Sequence, residues 1–246
     1  KGTKCTLDNI KSDSSTRFVI RTSNSKDYST QILEVEVTNS NLFDMPSEIF
    51  TNFPYLKRMT ANKCGIVDIH KNNFHYGINL NELRLRSNKL TKLPNSILSS
   101  SPLLQTLDLS SNQINEIDIN AFAGLESLEF LALTDNQLVS LDENLFRHLR
   151  NLLSIRLDSN KLQVIEEKLF ESSVNLTEIR VDSNEVAIIK GDAFGKLQRL
   201  KYLYLGSNRL LSINIQATKL ERLWIPYNKL SHLDVNRHLK LLYAPY

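Results

Sequence analysis

The amino-acid sequence predicts a solenoid of stacked coils, an α/β-type fold in which each coil adds one short strand to a parallel β-sheet on the concave face. Two observations predict this fold. The template L-x-x-L-x-L-x-x-N-x-L recurs along the chain, and its asparagines fall 24 residues apart at Asn88, Asn112, Asn136, Asn160, Asn184 and Asn208. A second column, in phase with the first, has the same 24-residue spacing at Phe50, Phe74, Leu98, Phe122, Phe146, Phe170 and Phe194. A fixed period of this length is typical of proteins built from one repeated structural unit.

The template explains how one coil is built. The two leucines of L-x-L alternate along a strand and point to one side, so the residues between them face solvent. A single coil cannot bury its apolar edge alone, and neighbouring coils therefore stack into a continuous core. We expect the Asn side chain to pair with buried peptide groups at the turn after the strand. We expect the Phe column to form an aromatic spine on the convex side, which is mostly irregular or 3-10 helix.

The repeats extend from residue 32 to residue 246, about ten in all, with Cys64 and Ser40 in the Asn position of the earliest ones. Residues 1–31 are predicted to be an N-terminal cap, because the alternation at 17–21 indicates a capping strand with Phe18 and Ile20 pointing inward. Such a strand would cover the first coil, which otherwise exposes an apolar face and an unpaired edge.

The C-terminal repeats are shorter. Asn228 follows Asn208 after about 20 residues, at the short end of known repeat lengths, and the Phe-bearing segment is missing between them. The last stretch, "LKLLYAPY" at 239–246, restarts the template and stops one residue before its Asn. We therefore expect a truncated final repeat without a C-terminal cap, and a longer full-length protein. Residue 1 is Lys, and no apolar signal-peptide core follows it, which favours a processed or trimmed N-terminus.

Composition argues against several classes of function. A net charge of +3 is too small to predict nucleic-acid binding, which requires a clustered basic patch. No apolar run approaches the roughly 20 residues of a membrane span, so direct membrane insertion is not expected. The histidines lack metal-ligand spacing, and no glycine-rich phosphate loop or nucleophile elbow occurs. The sequence thus predicts neither an enzyme nor a metal or cofactor site.

The two cysteines, Cys5 and Cys64, leave two alternatives open. Cys64 is either a small buried thiol in the Asn position or the partner of Cys5 in a disulfide, which needs Cα atoms within about 7 Å of each other. One sequon, Asn175-Leu176-Thr177, precedes a predicted strand. It predicts glycosylation at Asn175 if the protein is secreted.

The solvent-facing strand positions form the predicted binding surface. Their central row consists of Glu36, Thr60, Arg84, Asp108, Ala132, Arg156, Arg180, Tyr204, Trp224 and Tyr243. Its middle is charged, and we expect Arg84, Arg86, Arg156 and Arg180 to form ion pairs with neighbouring aspartates across strands. Its C-terminal end is aromatic, through Tyr202, Tyr204, Trp224, Tyr227, Tyr243 and Tyr246. Tyr and Trp are common in binding hot spots, although these rings could instead stack on one another to cover a change in curvature.

The template, with its 24-residue period, resembles the extracellular leucine-rich repeat family. That resemblance implies a horseshoe-shaped, non-catalytic interaction scaffold that binds a protein partner. The short repeats and the cysteine-poor cap are similar to secreted insect immune proteins of the mosquito haemolymph group. That similarity implies innate immunity, a complement-like partner, and dimerisation through regions outside this chain. A receptor ectodomain of the Toll-like kind and an intracellular adaptor remain as alternatives.

Overall fold

The computed structural model describes residues 4–11, 32–215, 217, 219–235 and 239–244. The chain consists of two compact units, Lys1–Ser127 and Leu128–Tyr246. Each unit is a stack of coils with one strand per coil in a parallel sheet and little helix, which confirms the predicted leucine-rich repeat solenoid.

The first unit has one main parallel sheet and a short outer one. The main sheet is formed by β1 Lys4–Asp8, β2 Glu34–Thr38, β3 Arg58–Thr60, β4 Glu82–Arg84 and β6 Thr106–Asp108. These strands lie side by side in the order β1-β2-β3-β4-β6. The return segments carry helix α1, Glu48–Asn52, a 3-10 helix at Lys71–Phe74, and the paired outer strands β5, Lys92–Leu93, and β7, Glu116–Ile117.

The second unit repeats the same plan. Its main sheet is formed by β8 Phe130–Ala132, β9 Ser154–Arg156, β11 Glu178–Arg180, β13 Tyr202–Tyr204, β15 Arg222–Trp224 and β17 Leu241–Tyr243. These strands lie side by side in the order β8-β9-β11-β13-β15-β17. Two outer pairs join β10 Val164–Ile165 with β12 Ile188–Ile189, and β14 Ser212–Ile215 with β16 His232–Val235.

The core follows the predicted alternation. The middle residue of each three-residue main strand from β3 to β15 is buried, as in Met59, Leu83, Ile155 and Ile179, all 0% exposed. Strand β17 is the exception, because its middle residue Leu242 is 42% exposed. The Phe column is also buried and forms the predicted spine. Ring centroids lie 6.0 Å apart in each of the stacked pairs Phe146–Phe170 and Phe170–Phe194, and 5.8 Å apart in the tilted pair Phe50–Phe74.

The Asn column performs the predicted pairing of peptide groups. The Asn184 amide donates to the carbonyls of Leu157, at 3.0 Å, and Val181, at 3.1 Å, and its oxygen accepts from the Leu162 N–H at 2.9 Å. Two of these three groups belong to the preceding coil. Asn184 therefore joins neighbouring coils and also closes its own turn.

The shortened repeats replace the Phe segment with a longer outer strand pair. β14 and β16 align residue by residue, from Ser212 opposite His232 to Ile215 opposite Val235. Only two residues of each strand pair between β10 and β12, whereas four pair here. Extended backbone covers more length per residue than a turn does, so a shorter coil can still span the convex side.

Of the predicted N-terminal cap, the structure describes residues 4–11. The predicted strand at 17–21 lies outside the described residues. The strand that pairs with the first repeat is β1, in which Cys5 aligns with Val35 and Leu7 with Val37. The offset between these aligned residues is longer than the repeat period, which explains why the period did not reveal this strand.

The disulfide alternative is wrong, because both cysteines are free. In the sheet register, Cys5 aligns with Val35 on β2, and Val35 aligns with Met59 on β3. Cys64 thus lies two strands from Cys5 and five residues further along the coil, well beyond the roughly 7 Å that a disulfide allows. Instead the Cys64 thiol is fully buried and donates to the carbonyls of Asn62, at 3.3 Å, and Val37, at 3.5 Å.

Candidate protein-binding surface

The solvent-facing row of the second unit is in the predicted register. Backbone pairing aligns Ala132 with Arg156, Arg156 with Arg180, and Arg180 with Tyr204. It then aligns Tyr204 with Trp224 and Trp224 with Tyr243. Neighbouring strands are about 4.8 Å apart, so this row is a contiguous surface of two cations followed by three aromatic rings.

Three arginine side chains in this surface lie over aromatic rings. The Arg180 guanidinium lies 4.3 Å from the centre of the Tyr204 ring, and that of Arg156 lies 5.4 Å from the centre of Phe130. The Arg222 guanidinium lies 5.7 Å from the centre of Tyr202. Such contacts contribute about 0.5–1 kcal/mol each at exposed sites. Sequence reasoning missed Phe130 and Arg222, although both occupy the strand position two residues before the central row.

The aromatic end contains a stacked pair. The rings of Trp224 and Tyr243 lie 3.8 Å apart at an interplanar angle of 12°. The two rings therefore stack on one another, which was one of the two alternatives that the sequence left open for these aromatic residues. They nevertheless remain open to solvent, since Trp224 is 39% exposed and Tyr243 is 40% exposed.

Gly206 makes room for the Trp224 indole. A Cβ atom at Gly206 would lie 3.1 Å from Trp224 Cδ1 and 3.0 Å from Pro226 Cδ. Real Cβ atoms rarely have contacts this close, so any side chain here would push the indole away. Glycine at this position thus fixes where the exposed ring lies.

Tyr227 does not share the sheet face, and its backbone is unusual. It lies in the turn after β15, with φ of +56°, and 64% of it is exposed. Small or polar residues hold the same left-handed turn in the other coils of this unit, namely Asp135, Ser159, Ser183 and Ser207. A bulky residue in this conformation is an outlier, and such strain is concentrated at functional sites. In every one of these coils the left-handed residue is the one directly before the template Asn. The repeat therefore contained the information needed to place Tyr227 in this turn, but the prediction from sequence did not use it. Tyr246 lies outside the described residues.

The predicted arginine–aspartate ion pairs are wrong. Arg180 pairs with Glu178 of its own strand, with 2.5 Å between Nε and Oε1, and Arg84 likewise pairs with Glu82. Residues two apart on a strand lie on the same face, so a long guanidinium readily folds back onto the preceding glutamate. Asp108, the neighbour of Arg84 on β6, accepts instead from the N–H of Ser110 at 3.0 Å.

Arg84 and Arg86 lie in the first unit, whereas the aromatic row belongs to the second unit. Both side chains are exposed, and the Arg86 backbone N–H donates to the Asn62 side chain at 2.8 Å. The first unit therefore presents charge without large exposed rings in its central row, where Glu36, Thr60, Arg84 and Asp108 align.

The sequon residue Asn175 is half-buried in the turn before β11. Its Nδ2 atom donates to the Arg150 carbonyl at 3.0 Å, and the Thr177 hydroxyl donates to the Leu153 carbonyl at 2.9 Å. Attachment of a glycan removes only one of the two amide hydrogens of Asn, so the bond to Arg150 is compatible with glycosylation.

The described residues include no group of three or more His, Cys, Asp and Glu side chains placed to hold a metal ion. Nor does that part of the chain contain a helix that is long and apolar enough to cross a membrane. What the surface offers is large rings, flat cations and carboxylates at strand spacing. Aromatic residues and arginine are enriched at protein–protein interfaces.

Two family profiles match the sequence. One, described as leucine rich repeat, matches residues 78–138, and the other, described as BspA type leucine rich repeat region (6 copies), matches residues 115–228. The chain belongs to the leucine-rich repeat family, whose members are typically non-catalytic interaction modules. No curated protein matches the sequence significantly.

Solved structures with the same fold include proteins of immunity. The APL1 leucine-rich repeat domain superposes with a TM-score of 0.64 at 19% identity, covering 97% of this chain and 74% of that one. A chain of the LRIM1/APL1C complex gives 0.70 at 19% identity, covering 98% and 52%. A chain of the Drosophila Toll–Spatzle complex, a hub in development and innate immunity, gives 0.70 at 20% identity, covering 87% and 33%. At these identities the likeness shows the fold alone, and this chain spans only about a third of the Toll-complex chain.

Proposed function

We propose that this chain is a secreted, non-catalytic scaffold of innate immune recognition that binds a protein partner through the solvent-facing sheet of its second unit. One observation carries the proposal. The row from Arg156 to Tyr243 presents two cations and three large rings in register, and the stacked pair Trp224–Tyr243 stays about two-fifths exposed. Rings that bury a large area yet keep a polar atom are the usual anchors of protein interfaces.

The immune role and the class of partner are supported by resemblance. Two of the structures with this fold are complexes between proteins, LRIM1/APL1C and Toll–Spatzle. A complement-like or other immune protein is therefore the partner that we propose. Dimerisation would take place through regions outside this chain.

Partner capture followed by substitution tests the proposal. The protein is immobilised, proteins of the source's extracellular fluid are identified by mass spectrometry, and the affinity of the leading partner is measured. Replacing Tyr204 and Trp224 with Ala should weaken that affinity by at least about 2 kcal/mol, roughly 30-fold. Tyr76→Ala serves as the matched control, because Tyr76 is a 55% exposed aromatic residue in a return segment of the first unit. Equal affinities for the double variant, the control and the parent protein, with all three folded, would overturn the proposal.

A second candidate is the ligand-binding ectodomain of a Toll-like or other leucine-rich repeat receptor. The superposition on the Toll–Spatzle complex favours it, at a TM-score of 0.70. The full-length gene discriminates between the two candidates, because a receptor encodes a membrane span downstream of these repeats and a secreted scaffold does not.

A further inference from the structure

Four charged side chains in the second unit face neighbours of the same sign. Arg156 aligns with Arg180 across β9 and β11. Two residues further on, Asp158 and Asp182 follow, and the backbone bonds Leu157 N–Arg180 O, at 2.8 Å, and Ser159 N–Asp182 O, at 3.0 Å, continue the register past the strands. Like charges that face each other across a ladder destabilise a sheet. The stability of the free chain therefore does not account for this arrangement.

The charges are not paired with one another within the chain. Arg156 forms no ion pair with any described residue, and its Nε atom is buried without a hydrogen-bond partner. The only ion pair of Arg180 among those residues is with Glu178, on the side away from Asp182. Asp158 accepts from the Thr134 hydroxyl at 3.0 Å, while Asp182 Oδ1 is buried and unbonded. Burial raises the pKa of Asp182 and the nearby Asp158 raises it further, and together these effects outweigh the opposing attraction of the two arginines.

The spacing of these rows defines a complementary ligand. The two arginines form one row, and the two aspartates form a second row about 7 Å away, the distance between strand residues i and i+2. An extended peptide laid along the strands repeats the same spacing, because its own side chains i and i+2 also project to one side. One acidic and one basic side chain at that spacing would face the arginine row and the aspartate row at the same time.

We infer that this face binds an extended segment of a protein partner in which an acidic and a basic residue are separated by one residue. The inference rests on the proposed function and names the chemistry of the partner that this surface selects. Tyr204 lies next to Arg180 on the following strand, so the aromatic row begins beside the strands that the peptide would cover. A polyanion such as nucleic acid is disfavoured, because its phosphates would also face Asp158 and Asp182.

Synthetic peptides test the inference through a built-in reporter. Trp224 is the only tryptophan of the chain, so its emission reports binding of Trp-free peptides. Acetylated and amidated ten-residue peptides rich in Thr and Val carry one Glu and one Lys at i and i+2, in either order. The matched control peptide has the same composition with the two charges at i and i+1, which project to opposite sides. Further controls carry two Glu or two Lys at i and i+2.

At low salt we expect one i, i+2 mixed-charge order to bind at least about tenfold more tightly than its i, i+1 isomer and both like-charged peptides. The difference should shrink at high salt, because exposed charge contacts are screened. Arg156→Gln and Asp182→Asn should each abolish the preference, with circular dichroism confirming the fold. Equal binding of the isomers, tighter binding of a like-charged peptide, or no binding at millimolar peptide would each overturn the inference.

The two proposals fail separately. If the Tyr204 and Trp224 substitutions weaken capture of the natural partner while the peptides show no preference, only the mixed-charge inference is wrong. If those substitutions leave capture unchanged, the proposed binding face is itself wrong.

Discussion

The guanidinium of Arg180 lies 4.3 Å from the centre of the Tyr204 ring, on the next strand of the second unit's sheet. Glu178 holds the Nε of the same guanidinium at 2.5 Å. One arginine thus joins the charged part of the surface to its aromatic part. The ring and the carboxylate together restrict the position of the guanidinium before any partner arrives.

This stack should be measurable in a double-mutant cycle of Arg180→Gln and Tyr204→Leu. We expect a coupling free energy of unfolding of about 0.5–1 kcal/mol, the usual size of an exposed cation–π contact. Tyr204→Phe keeps the ring face and should retain the coupling in urea unfolding. Additive effects of the two substitutions would show that the contact contributes nothing to stability.

Tyr227→Asn should stabilise the protein. A bulky side chain at φ of +56° costs free energy, whereas Asn tolerates this conformation well. We expect the thermal midpoint to rise by a few degrees, corresponding to about 1 kcal/mol in a chain of this length. The reverse change at the equivalent position, Ser207→Tyr at φ of +52°, should lower the midpoint. A lower midpoint for Tyr227→Asn would show that the ring's contacts outweigh the backbone strain.

Asp182→Asn should raise stability at neutral pH. The folded-state pKa of Asp182 is raised by burial and by Asp158, so the unfolded chain releases this proton more readily than the folded one. The protonated Asp182 carboxyl therefore stabilises the folded state fully below the usual carboxyl pKa, near 3.9. This stabilisation is lost as the pH rises through the raised pKa of the folded state. The stabilisation by Asn should therefore be clear at pH 7 and absent near pH 3 in thermal unfolding.

Asp8→Asn provides a control of opposite sign. Hydrogen bonds from the Thr38 and Asn39 side chains lower the pKa of Asp8. The ionised Asp8 carboxylate therefore stabilises the folded state above the usual carboxyl pKa, and this stabilisation is lost as the pH falls through the lowered pKa. Asp8→Asn should accordingly destabilise the protein at pH 7. Equal behaviour of the two variants would contradict the assigned directions.

The repeat period made much of this structure predictable, because each residue's place in a coil follows from its position within the period. The buried Met59 and Ile179, and the aligned Arg180 and Tyr204, were all placed from sequence. Strand β1 was missed because its offset to the first repeat exceeds that period. The ion pairs were also mispredicted. The repeat register determines which residues are adjacent, but the side-chain rotamer determines which adjacent residue is contacted, and the Arg180 side chain turns toward Glu178.

The Asn column can be tested at Asn184, which is 8% exposed and bonded to four peptide groups. Asn184→Ala leaves those groups unpaired and buried, at about 1–3 kcal/mol each, so we expect a loss of at least about 3 kcal/mol in urea unfolding. Asn175→Ala is the comparison, since that half-buried amide donates to the Arg150 carbonyl at the surface, and it should cost about 1 kcal/mol. Similar losses for the two variants would refute the special role of the column.

The free cysteines predict selective alkylation. Burial raises the pKa of the Cys64 thiol to about 11, and the residue is 0% exposed, so at pH 8 it carries almost no thiolate and no reagent reaches it. Cys5 is only partly buried, and burial raises its pKa as well, so it should react slowly. Iodoacetamide should therefore add one label to the native protein and two after denaturation, with Cys5→Ser removing the native label. A native mass two protons lower than the sequence mass, with no label taken up, would instead indicate a disulfide and contradict the register that separates the two residues.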